Sequence, residues 1–264
     1  MNSLDSLKSS IISQFGTPCA VIDLDIIKKN ILRAQKICDA AGVANRPHIK
    51  THKSPLLAKM QIDAGARGIT CQKLGEAEVM AEAGIDDILI ATNILGAAKS
   101  GRLASLQKRL PLKVCADNQI SLREYSKAAE AANRPLDVLI ECDTGQKRAG
   151  VEDPKEAANL VQSIIQDNWL KFSGLLYYPP LNGWNNTQVF HNSLTKMLDD
   201  LKAKAKIIST GGTPNFANVG KLKGATEHRA GTCIFNDMMM VEDGFAQMTD
   251  CAFRVFTSVV SRAN

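Results

Sequence analysis

The octapeptide RPHIKTHK, Arg46 to Lys53, sets one arginine, two histidines and two lysines within eight residues. His48 and His52, four apart, have the separation of two ligands at helical zinc sites. A lysine in such company offers a different chemistry. Cationic neighbours and partial burial lower an ammonium pKa and free the amine to act as a nucleophile. A solvated basic turn is the third reading, and for an arbitrary basic octamer it is the ordinary one. Strand alternation puts His48 and Lys50 on one face and Ile49 on the other. Lys50 is therefore the candidate amine, while Lys53 sits in the turn before Ser54.

Deciding among these readings requires the elements that hold the octapeptide. Short β-rich runs alternate with helical patterns along the whole chain. DLDIIKKNILRAQKICDAAG has Asp25 as an N-cap, apolar residues at helical spacing and Gly42 as a stop. In SPLLAKMQIDAG, Ser54 caps, Pro55 takes the first helical position and Gly65 ends the helix. Counting strands from RPHIK through GITC, DILIAT, LKVCA, LDVLIEC, KFSGLLYY, KIIS and GATEH gives eight. Eight βα beats with no linker predict an α/β fold, a (β/α)₈ TIM-type barrel over residues 24–247. No G-x-G-x-x-G follows a strand, which weakens the open doubly wound alternative. TPCAVIDL and CAFRVFTSVVSR lie outside the barrel beat. Segments 1–23 and 248–264 are therefore expected to be strands of a second, β-rich domain that looks truncated.

In such a barrel chemistry belongs where strands end. Lys50 closes the first expected strand, and Gln72, Asn93, Asp117 and Asn118 follow the next three. DTGQKRAG, with Asp143 and Arg148, follows the fifth, and Tyr177 and Tyr178 close the sixth. STGGTP (Ser209–Pro214) and EHRAGT (Glu227–Thr232) follow the last two, where glycine-bearing loops bind phosphate through backbone N–H groups. A phosphate cradle opposite a strand-terminal lysine suggests pyridoxal 5′-phosphate, which needs both. Composition agrees with a small anionic ligand. The net charge of +5 is dispersed, without the basic stripe of a nucleic-acid binder. No apolar run is long enough to span a bilayer, and no secretory leader is visible, so a soluble cytoplasmic protein is expected. The seven cysteines stand singly, with no C-x-x-C, against a disulfide framework or zinc ribbon.

Taken together, RPHIKTHK, GEAEVMAEAGIDDILIA, DTGQKRAGV, STGGTP and EHRAGTCIFND resemble the fold-type III enzymes of the D-threonine aldolase and D-serine dehydratase group, relatives of alanine racemase. The resemblance runs from Thr17 onward. It implies a PLP-dependent lyase acting on D-configured β-hydroxy amino acids, with Lys50 forming the internal aldimine. An amino-acid racemase or a non-catalytic PLP-binding protein are the alternatives. It also implies that Arg148 contacts the cofactor's phenolic oxygen and Tyr178 lies against the pyridine ring. Gly211, Gly212 and Thr213 with Gly231 and Thr232 would hold the phosphate, and Arg229 would sit near the ring nitrogen. Family members use a divalent metal (Mn²⁺, Zn²⁺ or Mg²⁺) whose His with Cys or Asp ligands lie in a C-terminal β-domain, beyond the last residue here. No metal ligand is assigned, and the chain looks about a hundred residues short on the size of an added domain. A homodimer and an amino-acid substrate are implied. YYPPLNGW departs from the usual sequence after the ring-stacking residue, which leaves the substrate side chain open.

Overall fold

Alternation within the short strands decides how the chain is assembled. In chain order the elements are α1 (Ser3–Phe15), β1 (Cys19–Ile22), α2 (Leu24–Ala40), β2 (Ala44–Asn45), α3 (Pro55–Asp63), β3 (Ile69–Cys71) and α4 (Leu74–Glu82). They continue with β4 (Ile88–Ile90), α5 (Ala97–Arg109), β5 (Leu112–Ala116), α6 (Gln119–Ala132), β6 (Leu136–Cys142) and α7 (Pro154–Gln166). Then come β7 (Leu170–Tyr177), α8 (Trp184–Asp200), β8 (Ile207–Gly211), β9 (Glu227–Arg229), α9 (Met238–Glu242) and β10 (Phe253–Phe256). The computed structural model describes residues 3–262. Its contacts divide into two units, Ile31–Gly231 and a second formed by Met1–Asn30 with Thr232–Asn264.

The larger unit is the expected barrel. Its eight strands are parallel, in the order β2-β9-β8-β7-β6-β5-β4-β3. Backbone bonds close the ring between the first and last of these. The Arg67 N–H donates to the Asn45 carbonyl at 2.9 Å and the Thr70 N–H to Pro47 at 2.8 Å. Ser54 caps α3 as expected, its hydroxyl accepting the Leu57 N–H, with Pro55 in the first turn. For α2 the cap is Asp23 rather than Asp25. One Asp23 oxygen accepts the N–H groups of Asp25 and Ile26, each at 3.1 Å, so Asp25 falls inside the first turn.

Strand alternation then layers the interior. Leu89, Cys115, Leu139 and Leu176 form a small buried cluster of their own. Their sequence neighbours Ile88, Ile90, Val114, Val138 and Ile140 pack in the large core that includes the helices. Two residues before Leu89 and Cys115 come Asp87 and Lys113, and here the interior becomes ionic. Arg46, 1% exposed, donates from Nε to Glu227 Oε2 at 2.8 Å and from Nη1 to Asp87 Oδ1 at 2.6 Å. Lys113 Nζ reaches the same Asp87 oxygen at 2.9 Å. Burial alone would lower the Arg46 pKa, but Glu227 and Asp87 more than offset it and the pKa is raised. Gly68 is required at this point, because a Cβ there would lie 2.5 Å from the Asp87 carbonyl and 2.6 Å from Arg46 Nη1.

In the second unit β1 and β10 pair antiparallel, with Cys19 opposite Phe256 and Ile22 opposite Phe253. Asn30 donates to the carbonyls of Ile234 and Asp250, and Lys29 pairs with Asp250 at 3.2 Å. Residues 3–15, expected to be extended, are the helix α1 instead. Leu7, Ile11 and Phe15 have the helical spacing that the strand reading passed over, and the Gly16 N–H closes the end on the Ile12 carbonyl. The outermost residues of the two segments, 1–2 and 263–264, lie outside the described residues. Among the described residues no helix is long and apolar enough to cross a membrane.

Replacing Arg46 by Met should leave Glu227 buried and uncompensated and cost about 3–5 kcal/mol in urea denaturation. Adding Glu227→Gln should recover much of that loss. Equal destabilisation of the single and double variants would remove the ion pair from the account.

Candidate active site

Lys50 stands slightly beyond the strand that was expected to end on it. After β2 the chain stays extended only through His48, which bridges Thr70, and then turns in a single 3₁₀ turn, Ile49–Thr51. The N–H groups of His52 and Lys53 both donate to the Ile49 carbonyl. Strand geometry is lost because this turn must deliver the chain to the Ser54 cap within a few residues. Lys53 completes it in the left-handed region (φ 52), with its Nζ on the Lys50 carbonyl at 2.6 Å. Ile49 is fully buried in the outer core, whereas Lys50 is exposed at the C-terminal end of the strands. Although the residue is exposed, partial burial of its amine, followed by the positive charges of Arg148 and Arg229, lowers the Lys50 pKa, and Glu76 opposes them. The structure thus brings together Lys50, Arg148 and Arg229, three residues widely separated in sequence.

Arg148 is held from its own loop. The Asp143 carboxylate accepts the N–H groups of Gly145, Gln146 and Arg148 at 2.7–2.8 Å, folding DTGQKR around one anion. Asp143 therefore fixes the backbone of Arg148, and the guanidinium lies over the Tyr178 ring, 5.7 Å from its centroid. Beneath that ring is the STGG loop. A Cβ on Gly211 would approach Tyr178 Cδ2 at 3.3 Å, and one on Gly212 would approach Cε2 at 3.3 Å. Gly212 also has φ +105, a conformation that side chains resist. Its N–H donates to the Arg229 carbonyl at 2.8 Å, so Gly212 contributes close approach rather than a spare donor. Thr213 follows it, buried at the start of a 3₁₀ turn.

Arg229 is buried and directs Nε to the Ser209 hydroxyl at 2.8 Å and Nη2 to the Tyr177 carbonyl at 2.7 Å. Its partners are neutral oxygens, and burial lowers its pKa, with Glu141 the largest opposing charge. Glu141 is a site residue that sequence reasoning missed, hidden inside the apolar run LDVLIEC. The parity of β6 exposes it, since Glu141 is two residues beyond inward Leu139. Burial raises its pKa, while Arg229 pulls the other way. Gly231 packs against the lysine turn, where a Cβ would meet the His48 carbonyl at 2.8 Å and Thr51 Oγ1 at 3.0 Å. Thr232 belongs to the other unit, where its carbonyl accepts the N–H groups of Phe235 and Asn236.

The two histidines of the octapeptide are engaged locally. His52 Nδ1 accepts the Ser54 N–H at 3.0 Å and its Nε2 meets Gln61 at 3.2 Å. His48 Nδ1 accepts the Lys50 N–H at 3.4 Å. Among the described residues no three His, Cys, Asp or Glu side chains form a group that could hold a metal. Tyr177, beside Tyr178, is turned the other way, with its hydroxyl on His191 Nδ1 of α8 at 3.1 Å.

Residues 22–238 match the sequence family described as alanine racemase, N-terminal domain. A D-threonine aldolase of Arthrobacter sp. is 39% identical over 167 residues, 63% of this chain and 44% of the relative. The D-threo-3-hydroxyaspartate dehydratase of Delftia sp. (strain HT23) is 31% identical over 256 residues, 92% of this chain and 67% of the relative. A mutant of a D-threo-3-hydroxyaspartate dehydratase has also been solved in a metal-free form. The crystal structure of D-threonine aldolase from Filomicrobium marinum superposes with a TM-score of 0.87 at 30% identity, covering 94% of this chain and 71% of that one. The alignments thus span 44% of the Arthrobacter relative and 67% of the Delftia one.

Burial holds several histidines neutral, with the pKa of His48 lowered to about 3 and those of His52 and His228 to about 4. An unfolded histidine titrates near about 6.5, so below that pH the unfolded chain takes up protons that the folded one refuses. Stability should therefore fall as pH drops from about 6.5 to about 4, by at most about 1.4 kcal/mol per pH unit for each buried histidine. Urea denaturation at pH 7 and pH 5 measures this. His228→Asn should flatten the slope, and an unchanged slope would contradict the assignment.

Proposed function

Since the chain belongs to the family of alanine racemase N-terminal domains, we propose that its barrel mouth binds pyridoxal 5′-phosphate and serves a lyase acting on D-configured β-hydroxy amino acids. The convergence of Lys50, Arg148 and Arg229 on one end of the barrel, beside the partly buried Tyr178 ring, is the observation that supports this most directly. The donor set suits the group. Its phosphate and phenolate are anionic and its ring is flat, while the mouth offers three cations, a tyrosine face and a glycine loop with no side chain in the way. When bound, the cofactor joins an amine through its aldehyde and draws electrons away from the substrate Cα.

The chain's own residues then have separable tasks. Lys50 Nζ would be the amine that holds the cofactor's aldehyde, and burial with the nearby cations lowers its pKa in the direction that favours such a nucleophile. Once displaced by substrate, the same Nζ is a base able to hold a proton. Arg148, steadied by Asp143, would meet the phenolic oxygen, and Tyr178 would pack against the cofactor ring. Gly211, Gly212 and Gly231 would let the phosphate end come close to the backbone, with Thr213 beside it, although the Gly212 N–H is already used on the Arg229 carbonyl. Arg229, a buried cation with Glu141 balancing part of its charge, would disfavour protonation of a heterocyclic nitrogen placed beside it. The relatives named as D-threonine aldolase and D-threo-3-hydroxyaspartate dehydratase supply the substrate class. A divalent cation serving the substrate hydroxyl belongs to the same reading, by analogy with the relative whose metal-free form is known.

An absorbance spectrum of the protein with pyridoxal 5′-phosphate, before and after borohydride, tests the central assignment. Borohydride should fix one cofactor on Lys50, and Lys50→Ala should abolish both the spectral change and the labelling. An unchanged spectrum in the variant overturns the reading. With D-threonine and Mn²⁺, acetaldehyde plus glycine would mark an aldolase, and a keto acid plus ammonia a dehydratase. Appearance of the opposite enantiomer would replace the lyase with a racemase.

A further inference from the structure

His48 is nearly as buried as the core, and yet it stands two residues before the exposed Lys50. Its backbone is extended (φ −90, ψ 112) and anchored on both sides of the ring closure, through its N–H on the Ala230 carbonyl at 2.9 Å and its bridge to Thr70. Its side chain acts as the N-cap of the 3₁₀ turn, Nδ1 accepting the Lys50 N–H. That role requires Nδ1 to be unprotonated, which leaves the remaining ring N–H to be placed. The Gln72 side chain and the Thr70 backbone are the polar groups that face this ring. Gln72 is in turn fixed. Its N–H donates to Glu76 Oε2 at 2.7 Å and its Nε2 to the Ala91 carbonyl at 3.4 Å, leaving its oxygen for the imidazole. Burial and the cations Lys50 and Arg229 lower the His48 pKa to about 3, so the accepting form persists at ordinary pH. Gly231 permits this close approach, because a Cβ there would lie 2.8 Å from the His48 carbonyl.

We propose that His48 is a positioning residue for Lys50: its imidazole, oriented by Gln72 and Glu76, caps the turn and fixes the direction in which the lysine side chain leaves the barrel rim. The consequence for catalysis rests on the reading that Lys50 captures the cofactor aldehyde. The cap itself is independent of that reading. It explains why a residue whose spacing suggests metal ligation is instead sealed in the wall beside the amine. It also links the loop after β3 to the reactive end of the barrel.

The test compares wild type, His48→Ala and His48→Asn, since asparagine restores a cap acceptor at the same backbone position. Two quantities are read: hydrogen exchange at the Lys50 amide in the cofactor-free protein, and the rate of borohydride trapping of pyridoxal 5′-phosphate on Lys50. Thermal midpoints serve as the folding control. Loss of a cap should raise exchange and slow trapping about five-fold in His48→Ala, while His48→Asn stays close to wild type. The proposal is overturned if His48→Ala exchanges like wild type, or if asparagine loses as much as alanine. Failure of wild type to be trapped would defeat the cofactor reading alone, and the exchange comparison would still decide the cap.

Discussion

Bringing Lys50, Arg148 and Arg229 to one end of a barrel costs electrostatic free energy, and most of the local structure answers that cost. Each cation is restrained by a different device. Arg229 is sunk among neutral oxygens with Glu141 in range, Arg148 is laid on an aromatic face, and Lys50 is carried on a turn tied to the ring closure. Long, flexible cationic side chains left to themselves would spread into water. Held in place, Arg148 and Arg229 add to the burial that lowers the Lys50 pKa.

Underneath lies a graded interior. The apolar cluster of Leu89, Cys115, Leu139 and Leu176 occupies the middle of the barrel. The Arg46–Glu227–Asp87–Lys113 network occupies the level below. Both layers follow from one geometrical rule, that residues two apart on a strand share a face. The same rule that lets the barrel fill its centre sets Glu141 above Leu139. Function and packing therefore use the same strands at different heights.

Much of this was legible in the chain. The βα beat, the Ser54 cap, the Asp143 loop and the paired glycine loops follow from local patterns whose physics is short-range. What escaped was set by tertiary context. Glu141 looks like an interruption of an apolar strand, and only the stacking of layers shows which way it faces. Lys50 was expected on a strand, because nothing in RPHIK announces that hydrogen bonding to Ile49 will turn the chain first. Asp25 and Asp23 are both acceptable caps by type, and the start of α2 chose between them. Thr232 shares a motif with Gly231 yet falls in a different unit, a division that sequence continuity conceals.

The adjacent tyrosines give the site a mechanical lever. Tyr177 is bolted to the outer helix layer through His191 and stacks edge-on against Phe190, while Tyr178, one peptide away, carries the Arg148 guanidinium over its face. Substitutions on the far side of α8, remote from any ligand, would tilt that face by degrees. The Arg148 guanidinium that rests on the ring would shift with it, although no residue of its own loop had changed.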